Sequence, residues 1–235
     1  MNYGLVNLGN TCYMNSIIQC IFHTGILSTE NDIFINNCIK TKERNDFELM
    51  QEWFKLNKKL NTKSDSKSVN PIDFYRCFAT KITKSEYTFI GFDQNDAGEF
   101  IIILFDLLHK CLEYKIKLTI EGEIQNNLDQ IAVDSINYWK KFFEKKYSYL
   151  VNCTYSQILS ITNCPKCNYS TRNHDPIQVI TLHMKPQFNT LYDLLTDYTN
   201  LEVLDSDNQW KCDQCQERSN AHKKNYRFLY FYFLK

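Results

Sequence analysis

Several common features are absent from this sequence, and each absence narrows the function. Neither sign of charge is in excess: Lys+Arg and Asp+Glu number 27 each, so no net field steers the chain onto nucleic acid or an anionic membrane. Long apolar runs are missing too. The longest, "FIIILF" at 100–105, stops at Asp106, far short of the roughly 18 to 20 residues that a membrane span needs. The first residues, "MNYGLVNLGN", have no basic segment followed by an apolar one, which leads to the expectation of an intracellular protein, cytoplasmic or nuclear, with reduced thiols. No internal repeat is found.

What is present is core material. The chain has 235 residues, 43% of them hydrophobic and 14% aromatic, enough for one large domain or two small ones. Its periodicity changes along its length. Ile17, Ile18, Ile21 and Phe22 follow helical spacing over 12–27, as do Phe47, Leu49, Met50, Trp53, Phe54, Leu56 and Leu60 over 47–60. The polar stretch "NTKSDSKSVNP" (61–71) reads as a loop, with a third helix starting after Pro71. After "GFDQND", residues Ala97, Phe100, Ile101, Leu104, Leu107, Leu108, Cys111 and Leu112 step by three and four, with Asp96 and Glu99 at the positive end of the helix. Residues 116–137 carry no clear pattern, and "YWKKFFEKKYSYL" (138–150) resembles a helix entering a strand. From 151 the runs become β-like: "SQILSIT", "IQVITLHM" and "YRFLYFYFL", with a short helical segment near 190–199. The predicted class is α+β, with a helical lobe over 1–150 and a strand-rich part over 151–235. The last run is apolar enough to want neighbours on both edges, so either its partners come earlier or the domain is cut short; in the second case the exposed strand predicts self-association.

Ten cysteines in a reducing compartment point to metal binding or catalysis rather than disulfides. Cys164 and Cys167 in "CPKC" and Cys212 and Cys215 in "CDQC" form two CxxC knuckles separated by 44 residues. Four thiolates satisfy a tetrahedral Zn²⁺ with no open position, a structural site. The knuckles are expected at the ends of paired strands with the helical segment inserted between them. The alternative, two independent redox pairs, lacks the strand-then-helix setting that such pairs use. Lys166 and Lys211 beside the knuckles either offset thiolate charge or are simply solvated, and His222 is a weaker ligand candidate.

Cys12, in "GLVNLGNTCYMNSIIQCIF", precedes a helical pattern whose dipole stabilises a thiolate. Asn10 and Thr11 are capping candidates, Gly4 and Gly9 permit turns, and the amide of Asn7 can face a developing oxyanion. The same pattern also fits an ordinary buried cysteine opening a core helix. Cys20, Cys38, Cys77, Cys111 and Cys153 are assigned to that ordinary role.

The Cys12 segment closely resembles the cysteine box of the ubiquitin-specific proteases, and "GFDQNDAGEFIIILFDLL" resembles that family's second box, a Gln-Gln-Asp-Ala-x-Glu-Phe sequence opening a helix. The paired knuckles and the "AHKKNYRFLYFYFLK" tail resemble its zinc-bearing fingers and the strand returning to its palm. The resemblance implies a papain-like cysteine protease fold with a helical thumb, zinc-bearing β fingers and an incomplete β palm. It makes Cys12 the nucleophile and Asn7 the oxyanion donor, places Asp96 and Gln94 on the extended tail of ubiquitin, and implies hydrolysis of the bond at ubiquitin's C-terminal glycine. Asn95 departs from the family's glutamine, and Gly98 loosens its helix by up to ~1 kcal/mol relative to alanine.

The family's acid–base histidine lies beyond the tail strand, in a box resembling Gly-His-Tyr, and the sequence ends before it. The five histidines present are poor substitutes. His23 is eleven residues along the helix from Cys12, about 16 Å at 1.5 Å per residue, and His109 is roughly 20 Å from the start of its own helix. His174, His183 and His222 fall in the finger region, and each of the five reads as a surface or strand residue. The alternative to an active deubiquitinase is therefore a ubiquitin-binding module without catalysis. A zinc-stabilised interaction domain indifferent to ubiquitin requires both boxes to be coincidence.

Overall fold

A computed structural model of the chain describes residues 3–27, 47–62, 67–83, 93–188 and 190–228. They form two compact units, Met1–Ile116 with Lys145–Cys153 and Lys117–Glu144 with Thr154–Lys235. The expected division at 150/151 lies near the last crossing, but residues 117–144, assigned from sequence to the helical lobe, cluster with the strands.

In the first unit, α1 (Cys12–Thr24), α2 (Glu48–Asn61), α3 (Ile72–Thr83) and α4 (Ala97–Leu112) pack on a common core. Every helix buries one stripe: Met14, Ile18 and Ile21 from α1, Met50, Trp53 and Leu60 from α2, Phe74 and Phe78 from α3, Phe100, Leu104 and Leu108 from α4. Removing this apolar area from water is the main stabilising term. Phe100 is the hub, with its ring edge-on to Tyr13 at 5.6 Å and to Phe78 at 5.0 Å between centroids. After α1 the chain turns through Gly25 at φ +67°, whose N–H bonds to Phe22 O. The buried Leu27 carbonyl that follows accepts from Trp53 Nε1 and Asn57 Nδ2, both at 3.1 Å, so α2 satisfies a polar group that α1's exit leaves inside.

The strand β1 (Gly4–Leu5) pairs in parallel with β2 (Ser68–Val69), tying the start of the chain to the entrance of α3. Gly4 therefore serves a strand and not a turn. Where the chain leaves and re-enters this unit it is stapled: Tyr114 and Tyr147 exchange backbone hydrogen bonds of 2.8 and 2.9 Å, and His109 Nδ1 meets Ser148 Oγ at 2.7 Å. Ser148 leads into α6 (Tyr149–Thr154), so 138–150 is not a helix running into a strand.

The second unit contains α5 (Asn127–Phe143), opened by a reciprocal capping box between Asn126 and Asp129. Its antiparallel sheet has the order β4-β3-β8-β5, made of β3 (Ser156–Asn163), β4 (Ser170–Ile177), β5 (Glu202–Leu204) and β8 (Ala221–Phe228). The helix α7 (Leu191–Thr199) occupies the segment expected near 190–199. The expected strand over "IQVITLHM" does not form. Ser156, the first residue of β3, pairs with Ile177; the residues before Ser156 turn into α6, so nothing remains for 178 onward to pair with. A buried polar pair, Ser135 Oγ to Gln157 Oε1, returned by Gln157 Nε2 to Ser135 O at 3.3 Å, fixes α5 on β3. Strand β8 has β3 along one edge from residue 157 to 163, while β5 covers only Ala221–Lys223 on the other. The rest of the aromatic tail, 229–234, lies outside the described residues, as does Cys38. No helix among the described residues is long and apolar enough to cross a membrane.

The hub position of Phe100 predicts that Phe100→Ala lowers the unfolding free energy of the first unit by about 3–5 kcal/mol in urea titrations. Ile102→Ala, whose side chain is 42% exposed on the same helix, should cost under about 1 kcal/mol.

Candidate functional site

The loop before α1 is held from below by that helix. Asn15 Nδ2 donates to Val6 O at 3.1 Å and Leu5 O at 3.5 Å, and Gln19 Nε2, one turn further on, donates to Tyr3 O at 2.9 Å. The loop then reverses at Gly9, whose φ of +90° excludes an unstrained side chain. Thr11 is fully buried; its N–H and its hydroxyl both donate to Asn7 Oδ1, at 3.2 and 3.0 Å, and its hydroxyl accepts from Leu8 N at 3.0 Å. Two consequences follow. Asn7 has its carbonyl oxygen committed, so its exposed amide presents Nδ2 as donor. And Thr11, though at the N-cap position, spends its hydroxyl on the loop, so no side chain caps α1. The capping expected of Asn10 or Thr11 is thus absent, which leaves first-turn N–H groups beside Cys12 for another acceptor.

Cys12 itself is exposed, which removes the reading of it as a buried core thiol. Cys20 is exposed as well, contrary to its assignment, because position 20 falls on the outer face of α1. Cys111 is buried, and Cys77 and Cys153 are half-buried. Burial pushes the Cys77 thiol up to about 11 and also raises Cys153, as expected of unreactive thiols.

The second box begins beside the first. Asp96 is the N-cap of α4, with Oδ1 accepting from Gly98 N at 2.6 Å and Glu99 N at 3.0 Å; Oδ2 takes no part in the cap. Glycine at 98 has a local reason: a Cβ there would stand 3.0 Å from that same Oδ1, so the propensity cost of Gly98 accompanies a tighter cap. Asn95 Nδ2 bonds to Asp93 O at 2.8 Å and reaches the Tyr13 hydroxyl at 3.4 Å. Burial raises the Tyr13 phenol, which keeps it protonated. Tyr13 thus joins the start of α1 to the start of α4, a link the helical spacing did not reveal. Gln94 and Asp96 are exposed.

Among the described residues no hydrogen bond joins Cys12 to a histidine. His23 is exposed on the last turn of α1, and His183 and His222 are exposed in the second unit. His174 is a strand residue, as expected, though a buried one, whereas His109 is half-buried on α4 and is neither a surface nor a strand residue. His109 is held by Ser148, with Glu113 Oε2 at 4.0 Å from its Nε2; His174 is buried in β4.

The four knuckle cysteines converge. The first knuckle follows β3 and the second lies between the short strands β6 (Trp210–Lys211) and β7 (Arg218–Ser219), with α7 between them in sequence. The two turns are built alike: Cys164 N donates to Tyr169 O and Asn168 N to Cys164 O, while Cys212 N donates to Glu217 O and Gln216 N to Cys212 O. Asn168 and Gln216 both adopt φ +59°. Sulfur separations are 3.9 Å for Cys164 to Cys215 and 3.6 Å for Cys167 to Cys212, with all four within 4.8 Å. A tetrahedral ion bound at about 2.3 Å needs ligand sulfurs about 3.8 Å apart, so these residues could hold a metal. Burial pushes the Cys164 thiol up, but the backbone N–H groups of Cys167 and Lys166 outweigh it and bring it down to about 6. Lys166 pairs with Glu217 at 2.5 Å, bridging the two knuckles, and also feels the charge of the Cys215 and Cys164 sulfurs.

Helices with an exposed thiol at an uncapped helix start, joined in sequence to a strand unit with two cysteine knuckles, define an α+β protein. Residues 3–227 match the family described as ubiquitin carboxyl-terminal hydrolase. The chain belongs to that family. It is 31% identical over 229 residues to ubiquitin carboxyl-terminal hydrolase 2 of Bos taurus, covering 94% of this chain and 36% of that protein. To the protein of the same name in Gallus gallus it is 33% identical over 227 residues, covering 94% and 62%. The chain thus spans 36% and 62% of these two relatives' lengths, less than two thirds of either. In fold it is similar to a solved structure of the SAGA Ubp8/Sgf11/Sus1/Sgf73 DUB module bound to ubiquitin aldehyde, with a TM-score of 0.62 at 23% identity over 96% of this chain and 44% of that one.

Exposure sets an order of thiol reactivity. Brief iodoacetamide treatment of the native chain, read by peptide mass spectrometry, should modify Cys12 and Cys20 at least about tenfold faster than Cys111; equal rates would contradict this placement.

Proposed function

We propose that this chain carries the thiol-bearing part of a deubiquitinating protease, with Cys12 as nucleophile and Asn7 as oxyanion donor. The observation that carries the reading is the pair of hydrogen bonds that the Thr11 N–H and hydroxyl donate to Asn7 Oδ1, which orients the amide as a donor while leaving the helix start beside Cys12 uncapped. The Cys12 thiolate attacks the carbonyl carbon of ubiquitin's terminal glycine. Charge develops on the carbonyl oxygen, and donors already aimed there stabilise it without reorganisation. The C–N bond breaks as the substrate amine takes a proton from an imidazolium, and water then cleaves the thioester, releasing the glycine carboxylate and the thiol. None of the five histidines of the chain is hydrogen-bonded to Cys12, and this step is assigned to none of them. Gln94 and Asp96 Oδ2, exposed at the neighbouring start of α4, hold ubiquitin's extended tail.

The four knuckle cysteines hold a structural Zn²⁺, supported by their sulfur separations. With four thiolates it has no open position and its role is to fix the finger hairpins. Association through the edge of β8 beyond Lys223, which has no strand partner among the described residues, belongs to the same proposal.

One observation favours a second reading, ubiquitin binding without turnover: no described histidine is bonded to Cys12. Hydrolysis of a fluorogenic amide at the ubiquitin C-terminus, measured beside ubiquitin binding, separates the two. Turnover abolished by Cys12→Ala supports the protease. Binding without turnover supports the second reading, and neither binding nor turnover sinks both. Loss of general acid–base catalysis alone should slow the reaction by about 10²–10⁴.

Metal analysis of the purified chain should give about one Zn²⁺, lost in Cys164→Ser/Cys212→Ser together with the cooperative unfolding of the second unit. A metal-free, fully folded chain would refute the assignment.

A further inference from the structure

The thiol chemistry makes no use of His174, whose setting in the second unit is unusual. It lies in the middle of β4 opposite Leu159 and is 3% exposed, yet neither Nδ1 nor Nε2 has a hydrogen-bond partner. An unpaired buried polar atom is costly, and native structures rarely leave one without a purpose. Arg172, two residues earlier, shares the face of β4 that meets α5. Asp134, Asn137, Tyr138 and Lys141 of α5 complete, with these two, a pocket of about 360 Å³.

The charge in this pocket is unbalanced. Lys141 and Arg172 form no ion pair among the described residues. The one carboxylate lining it, Asp134, accepts a 2.7 Å hydrogen bond from Gln130. The Tyr138 ring, 45% exposed, lies against the imidazole at 6.0 Å between centroids and 34° between planes, so it is the side chain that must move for a ligand to reach the ring nitrogens. Two uncommitted cations, an amide and an unpaired imidazole are the donor set for an oxyanion, with the arginine fork suited to two of its oxygens. We propose that this pocket binds a small oxyanion of the phosphate class, free or as a phosphomonoester. Lys141 and Arg172 neutralise it, and His174 donates to it once Tyr138 turns aside.

The imidazole gives this site a signature. Burial holds His174 below the ordinary histidine range, so proton uptake accompanies binding and affinity rises as pH falls. The other groups facing it are Asp134, Tyr138 and Lys141 on α5 and Arg172 on β4, with Leu159 opposite it on β3; Asp175 lies on the other face of the strand.

The test titrates the full 235-residue chain with sulfate, whose charge is fixed over this range, at constant ionic strength, following the backbone NMR signals of Arg172–His174. Saturable shifts are expected, at least about tenfold tighter at pH 6 than at pH 8, and weakened at least about tenfold in Arg172→Ala or Lys141→Ala. His174→Phe keeps the aromatic volume and should flatten the pH dependence; if it fails to fold, the two exposed cation variants still decide. No saturation below about 50 mM, or affinity unchanged in both cation variants, overturns the proposal. Parallel titrations with phosphate and phosphoserine distinguish the sources. At least about tenfold preference for phosphoserine assigns a phosphomonoester, and equal affinity assigns the free ion.

Discussion

The edge-on contact of Phe100 with Tyr13 and Phe78 is where the first unit's organisation and its chemistry meet. Phe100 is the fourth residue of α4 and Tyr13 the second of α1, so their contact brings the starts of two helices together. The hydrogen bond from Asn95 to the Tyr13 hydroxyl closes the same junction on its solvent side. Everything asked of the site depends on this. The helix starts carry Cys12 and Asp96: the first turn of α1 keeps uncapped N–H groups beside Cys12, whereas that of α4 is capped by Asp96 Oδ1. Repacking Phe100 would therefore move Cys12 and Asp96 relative to one another, not merely loosen the core.

Above that junction the loop is assembled by polar side chains turned inward. Asn15 and Gln19 present amides to the carbonyls of Leu5, Val6 and Tyr3, while Thr11 and Asn7 satisfy each other. A loop held at this many points loses little further entropy when substrate arrives, which is the condition for preorganised catalysis. Its cost falls on the helix: a threonine that would ordinarily cap α1 faces the other way. A stabilising cap is given up, and the unsatisfied donors that result are the ones the reaction can use.

How much of this was legible in the sequence depends on which physical effect set each feature. Periodicity of 3.6 located α1 to α4 because those helices bury one stripe in a shared core, and the residues named for α4 are nearly all inside. Tyr13 and Met14 escaped notice because the stripe was counted from Ile17. The segment 178–184 has a strand's composition but lies beyond the end of its only neighbour, and a lone strand has no ladder to join. Helix α5 was illegible for the opposite reason: half of its surface, including Phe142 and Tyr138, is exposed, which blurs the apolar stripe, though its Asn126–Asp129 cap was there to be read. Cysteine knuckles were the plainest signal, since two CxxC turns need only their own local geometry. Thr11, in contrast, could act as cap or as loop anchor with the same residue at the same place, and only the position of Asn7 decided between them.

The distribution of the chain between two units bears on how the parts cooperate. Residues 117–144 leave the helical unit and return at Lys145, and the exit and entry are clamped by the Tyr114–Tyr147 bridge and by His109 on Ser148. Such a clamp makes the excursion a closed loop anchored in a folded core, so α5 is delivered to the sheet at small entropic cost. The knuckle turns obey the same logic on a smaller scale: Lys166 and Glu217 join the hairpins from outside while the four sulfurs converge inside. The exposed ion pair contributes little by itself. The sulfurs are what matter, because four thiols this close repel as they ionise and only a shared cation removes that repulsion. The helical unit's order rests on an aromatic core, while the strand unit brings together four sulfurs that could hold a metal.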